Sequence, residues 1–310
     1  MKMGLYILII IGVTSAMGST FFPDTFFQSY IFQAGLLLLL LNMSLCTIRQ
    51  AKTFWQTVSL GKEKGGVKRI GVIILHAGIV LILIGGTVNS LIGQKADISM
   101  TNGEVINLSD VLSDNDPLKI KLNEFYIEFN PDGSPCQYFS KVSLIKELGD
   151  SQEFTISVNN PLAYNGVKVY QQTFGYLLKV QTESDSRAVT KKTLREGDVL
   201  QFEGSDKSLK FVRYIPNYDP RYGMISRTTR PDNPKVIYAI YQNNSLIKAG
   251  IGSIADKIEI DTVSFVTLSG IEYYTGLGLK QDPGLPIAAA GGILLMVGSC
   301  CPLLMRRKSK

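Results

Sequence analysis

The chemistry open to this chain is limited first by its histidines. Among 310 residues there is one, His76, beside four cysteines, Cys46, Cys136, Cys300 and Cys301. A zinc site takes about four close-set ligands, mostly His and Cys, which disfavours a self-contained one here. A Ser-His-Asp or Cys-His nucleophile would have to run through His76. There is no C-x-x-C, so the chain has no dithiol for disulfide exchange. There is no C-x-x-C-H either, so it carries no covalent c-type haem of its own.

His76 lies in a charge-free stretch, 70–94, six residues after Ile70. At helical rise that is about 9 Å inside its end. An imidazole in hydrocarbon needs a partner, and an ionisable group at such depth marks a candidate site. None of the apolar stretches contains an acid, so a proton relay within the chain lacks a second member. A neutral imidazole can offer one nitrogen to a metal, and haem iron suits an apolar setting. An interhelical hydrogen bond to Asn42, Ser44, Thr14 or Asn89 accounts for His76 equally well.

Two further features could bind something. Segment 213–235 carries Arg213, Arg221, Arg227 and Arg230 with Tyr214, Tyr218 and Tyr222 between them, a composition suited to carboxylates or an extended peptide. A solvated Pro-rich loop has the same composition. Cys136 stands apart from the other cysteines, so no disulfide staples its region, and it reads as a free or partner-facing thiol. Cys46, Cys300 and Cys301 fall in apolar stretches, where small-residue packing is the default.

These residues must be positioned by membrane helices and one water-exposed domain. The chain is 45% apolar, with a mean hydropathy of +0.14, yet its charge is segregated. Residues 93–283 hold 21 basic and 24 acidic side chains, and the remainder 11 basic and 2 acidic. Four stretches, 3–23, 26–48, 70–94 and 284–305, reach the roughly 20 residues a bilayer requires. The first lacks a small-residue cleavage motif. It is followed by Phe21, Phe22, Phe26, Phe27 and Tyr30 around Asp24, which reads as an interfacial belt after a retained helix.

Orientation follows from the cations. Lys2 precedes the first span. Arg49, Lys52, Lys62, Lys64, Lys68 and Arg69 lie between the second and third, and Arg306, Arg307, Lys308 and Lys310 follow the fourth. Against Glu63 alone, they place both termini and 49–69 in the cytoplasm. The basic surplus is a topology signal, and no nucleic-acid partner is expected. Small residues in the spans, Gly12, Ala16, Gly78, Gly85, Gly86, Ala288, Gly292 and Gly298, would let helices approach closely.

The predicted organisation is an integral membrane protein with four transmembrane helices. It divides as 1–48 (two helices), 49–69 (basic cytoplasmic loop), 70–92 (third helix), 93–283 (extracytoplasmic domain), 284–305 (fourth helix) and 306–310 (basic tail). The outer domain, between helices 3 and 4, reads as all-β, sandwich or barrel-like. LKIKL (118–122) alternates, and FYIEF (125–129) repeats the alternation out of phase, which requires a bulge at Asn123 and Glu124. Further strands are YFSKVSLI, EFTISV, VKVYQQTF, YLLKVQ, LKFVRY, KVIYAIYQ and KIEIDTVSFVTL. Turns fall at Pro131-Asp132-Gly133, Asn165-Gly166, Glu196-Gly197-Asp198 and Asn243-Asn244.

Several segments resemble the ResB (CcsB-type) family of system II cytochrome c biogenesis proteins. They are LNMSLCTIRQ closing the second helix, LHAGIVLILIGGTVNSLIG (75–93), VNNPLAYNGVKVYQQTFGY (158–176) and YTGLGLKQDPGLPIAAAGGILLMVGSC (274–300). The resemblance runs along most of the chain, and the order of segments is more specific than any single motif. It implies moving or presenting haem b across the bacterial cytoplasmic membrane and supporting its covalent attachment to apocytochrome c outside. The family's helix-three histidine, associated with haem ligation near the cytoplasmic side, corresponds to His76. The partner implied is a ResC/CcsA-type protein with a tryptophan-rich haem-handling motif. This chain has only Trp55 and cannot be that partner.

Apocytochrome c and thiol-reductant proteins are further expected partners. Longer relatives have a histidine in the outer domain, whereas residues 93–283 have none, so external ligation falls to the partner. The chain is not expected to act as an independent enzyme. If haem attachment counts as lyase chemistry, the complex performs it. The competing function is a structural or docking subunit that binds partner and apocytochrome without touching haem.

Overall fold

In the computed structural model, residues 2–22, 26, 29–60, 66–112, 118–146, 150–183, 189–202 and 204–306 are described. Asp24 and Phe27 of the expected aromatic belt lie outside them, as do Lys62, Glu63, Lys64, Arg307, Lys308 and Lys310 of the orientation signal. The chain divides into two compact units, Met1–Gln94 with Gln281–Lys310, and Lys95–Lys280.

The first unit is helical: α1 (Lys2–Phe21), α2 (Tyr30–Ser59), α3 (Gly66–Ile92) and α4 (Leu285–Arg306). Ser29 starts α2 by capping the Phe32 amide through its hydroxyl. Sequence reading ends this helix at 48, where Arg49 interrupts the apolar run. The structure carries it on to Ser59, because one cation does not break helical hydrogen bonding and no Gly or Pro follows before Gly61. Among the described residues three helices are long and apolar enough to cross a membrane, over Gly4–Phe21, Tyr30–Ser59 and Arg69–Ile92, and α4 contains the shorter apolar run Leu285–Cys301. Their outward side chains, such as Leu8, Ile9, Leu41, Leu45 and Ile293, are exposed, a surface suited to lipid rather than water.

Helices α3 and α4 pack at backbone distance. A Cβ added at Gly78 would lie 2.6 Å from Leu295 N, one at Gly85 2.6 Å from Ala288 N, and one at Gly298 2.5 Å from Leu75 N. Opposite them stand Gly284 and Gly291, also without room for a Cβ. The glycines at 71, 78 and 85 face those at 284, 291 and 298, each row spaced by seven, so a small residue returns to the seam every two turns. Of the small residues expected at helix contacts, Gly12, Gly86 and Gly292 have open space instead. They sit one residue off this stripe or on a helix that does not meet it.

The second unit is β-rich, in three sheets. The first has the order β1 (Gln94–Thr101), β14 (Phe265–Gln281), β7 (Val167–Glu183), β6 (Leu162–Tyr164), with β13 (Lys257–Glu259) on β14 and β8 (Val189–Arg195) on β7. The second runs β2 (Val105–Asn107), β3 (Lys119–Phe129), β4 (Pro135–Ile145), β5 (Ser151–Ser157). The third runs β12 (Ser245–Gly252), β11 (Lys235–Gln242), β10 (Lys207–Ile215), β9 (Val199–Gln201).

The β3–β4 register slips between Leu122 and Glu124, the bulge that the phase change demands. Asn165 and Gly166 both have positive φ between paired Tyr164 and Val167, a two-residue hairpin turn, and Asn243 and Asn244 make another.

Two expected strands, VKVYQQTF and YLLKVQ, form the single strand β7. Gly175 does not break it; its missing side chain makes room for the Tyr274 ring, which a Cβ would meet at 2.4 Å. KIEIDTVSFVTL divides in the opposite sense, into β13 and the start of β14. The strand β14 then continues through TGLGLK, where Gly276 and Gly278 pass beneath Thr173 and Gln172. Both long strands serve two cores. Val167, Val169, Leu277 and Leu279 pack with β3, β4 and β5, while Leu178, Val180, Val266 and Leu268 pack with β10 and β11. Between them Gln171 Oε1 accepts hydrogen bonds from the buried Ser140 (2.7 Å) and Thr275 (2.9 Å), linking three strands.

Candidate functional site

His76 lies on α3, half-buried, at the wall of a cavity of about 450 Å³. Leu5 and Leu8 of α1, Leu39, Met43 and Cys46 of α2, and Ile79 of α3 supply the remaining wall. Residues spaced by three and four share one helix face, so the α2 and α3 members each form a single stripe. Gly4 and Asn42 complete the cavity, where the α1 backbone approaches the Asn42 amide closely.

The two imidazole nitrogens have different neighbours. Nδ1 is 2.8 Å from the carbonyl oxygen of Val72, one turn back. A carbonyl only accepts, so Nδ1 carries the proton, and in the neutral ring Nε2 holds a lone pair. That lone pair accepts a 3.3 Å hydrogen bond from the Gln50 amide, which also lies 3.6 Å from Cys46 Sγ. The interhelical bond foreseen for His76 therefore exists in kind, but its partner is Gln50 instead of Asn42, Ser44, Thr14 or Asn89. Gln50 escapes a sequence reading that stops α2 at 48. The available signal is its spacing, four residues beyond Cys46 and seven beyond Met43 on the same face.

A second cavity of about 430 Å³, between α2 and α3, is lined by Gln50 together with Arg49, Phe54, Arg69, Val72 and Ile73 among others. Arg69 Nη1 donates to Thr57 Oγ1 at 3.3 Å. Neither Arg49 nor Arg69 has a carboxylate within ion-pair distance among the described residues.

In the outer arginine segment two of the four guanidinium groups are paired with acids. Arg221 is engaged by Asp219 at 2.6 Å, and that guanidinium holds the Asp219 carboxyl down at about 2, below the usual carboxylate range. Arg230 pairs with Asp232 at 2.8 Å and lowers it likewise. Arg213 and Arg227 are exposed. Cys136 is exposed and unpaired, and Cys46, Cys300 and Cys301 are also free thiols. Among the described residues no three His, Cys, Asp or Glu side chains come together as a metal set.

Comparison with known proteins adds to this geometry. Residues 56–309 match the model of the ResB-like family. The chain is 30% identical over 271 residues to cytochrome c biogenesis protein CcsB of Thermosynechococcus vestitus, covering 82% of this chain and 58% of that protein. It is 27% identical to cytochrome c biogenesis protein CcsB of Picosynechococcus sp., over 81% of this chain and 54% of the relative. A red-algal relative, cytochrome c biogenesis protein Ccs1 of Porphyra purpurea, is 30% identical over 76% of this chain and 52% of its own length. The chain thus spans little more than half the length of the curated relatives it matches.

Proposed function

The chain belongs to the ResB-like family, and from that premise we propose that it is a membrane subunit of the machinery that presents haem and supports its attachment to apocytochrome c outside the cytoplasm. The observation that carries the proposal is His76: an imidazole at the wall of a greasy cavity, with Nδ1–H donating to the Val72 carbonyl, so that Nε2 is its ligating atom once the Gln50 amide is displaced. That donor arrangement fits haem b, whose apolar ring suits the leucine walls and whose iron takes an axial imidazole. The haem is cargo, and the redox and bond-forming chemistry belongs to it and to the apocytochrome. This chain's residues hold the ring, present one nitrogen and keep water from it.

The remaining assignments are of one piece. In this reading α4 crosses the membrane as a fourth span. The basic residues put both termini and 49–69 in the cytoplasm, and residues 93–283 stand outside the cytoplasmic membrane as a docking surface. A tryptophan-rich haem-handling membrane protein of the ResC/CcsA type supplies external ligation, since residues 93–283 contain no histidine. Thiol-reductant proteins keep the apocytochrome cysteines reduced. Any lyase activity is that of the complex.

One observation favours a second reading. The Gln50 amide already occupies Nε2, which would suit a histidine that only ties α2 to α3 in a docking subunit. Haem spectra of the purified complex separate the two. His76→Ala is expected to lower haem content and change the axial-ligand bands; unchanged content with unchanged bands would remove His76 as ligand and leave the docking reading.

A further inference from the structure

The linings of the two cavities follow one another along the same faces of α2 and α3. Along α2 the stripe Leu39, Met43, Cys46 continues through Arg49 and Gln50, and along α3 Ile79 and His76 continue through Val72 to Arg69. The Gln50 to His76 hydrogen bond sits where they join. The far end has apolar walls from Phe54, Val72 and Ile73, with two guanidinium groups and no acid among its described lining residues. From His76 to Arg69 is seven residues, about 10 Å along the axis, within reach of long side chains.

We infer that Arg49 and Arg69 are the acid-binding end of this slot, selecting a flat apolar ligand that carries carboxylates at one edge, of the porphyrin class. The choice of ligand rests on the haem reading of His76; the guanidinium pair itself does not. Both cations are exposed, and each gains a charge-assisted, bidentate partner when a carboxylate arrives. Orientation follows: carboxylates at the Arg49 and Arg69 end, ring body toward Leu8 and Leu39, and ring centre level with His76. To reach Nε2 the ring must displace the Gln50 amide.

The test uses the full chain in neutral phosphatidylcholine nanodiscs, titrated with metal-free protoporphyrin IX and with its dimethyl ester, each followed by porphyrin fluorescence. Neither probe needs an axial ligand. Wild type is expected to bind the diacid at least about tenfold more tightly than the ester. Arg49→Gln with Arg69→Gln should abolish that preference, while His76→Ala should keep it. Equal binding of diacid and ester by wild type overturns the inference without any variant, and the two arginines then serve lipid phosphates; binding of neither probe overturns it too. A retained acid preference beside unchanged haem spectra in His76→Ala would leave the guanidinium site standing and remove the axial-ligand reading.

Discussion

In the proposed haem reading the decisive atom of His76 is Nε2, which accepts from the Gln50 amide. The amide and a ligand compete for one lone pair, so removing the amide should help the ligand by about the net worth of one hydrogen bond. Gln50→Leu is therefore expected to raise haem affinity about fivefold with axial bands unchanged, measured by absorbance titration; weaker binding would mean that Gln50 itself holds the ligand. A different residue-scale effect belongs to Asp219. Its folded carboxyl titrates near 2, below its unfolded value of about 4. Its stabilising effect on the 216–233 loop is accordingly present above pH 4 and lost as pH falls toward 2. Tyr218 and Tyr222 fluorescence should report loosening over that interval, and Asp219→Asn should flatten the response.

Among the elements, the seam of α3 and α4 depends on absent side chains. At Gly291 a Cβ would stand 2.6 Å from the Gly78 carbonyl oxygen, a backbone atom that cannot move without its helix. Gly291→Val is expected to push the helices apart and cost about 2 kcal/mol or more, seen as lower accumulation in the membrane and loss of an engineered disulfide across the seam. Gly292→Val, one residue on but in open space, should be tolerated. Sequence reading takes Gly292 for the contact and passes over Gly291; the rotation of α4 about its axis, which the sequence does not display, reverses the choice. The strands teach a similar lesson. Alternation located the β3 bulge because a phase slip is written in the side chains themselves. The continuity of β7 through Gly175 was not legible, because the Tyr274 ring that requires the glycine comes from a strand about a hundred residues away.

On the scale of the whole chain, the β unit has its own interior, and β7 and β14 run through both of its cores. Residues 95–280 produced alone are thus expected to stay soluble and unfold in one cooperative transition by circular dichroism; two separated transitions would show that the shared strands do not couple the cores. The apolar helices, the charge segregation, the alternating strands and the solitary histidine are properties of composition and local period, and so they could be read along the chain. The length of β14, the continuation of α2 past Arg49, the pairing of Arg221 and Arg230 with neighbouring acids and the meeting of Gln50 with His76 could not. Each depends on which residues distant or undistinguished in sequence arrive at one place, and that is decided by packing. That one imidazole lies in an apolar helix follows from composition and local period. What each of its nitrogens meets is settled by packing, since the Val72 carbonyl on its own helix takes the Nδ1 proton and the Gln50 amide arrives from the next helix to donate to Nε2.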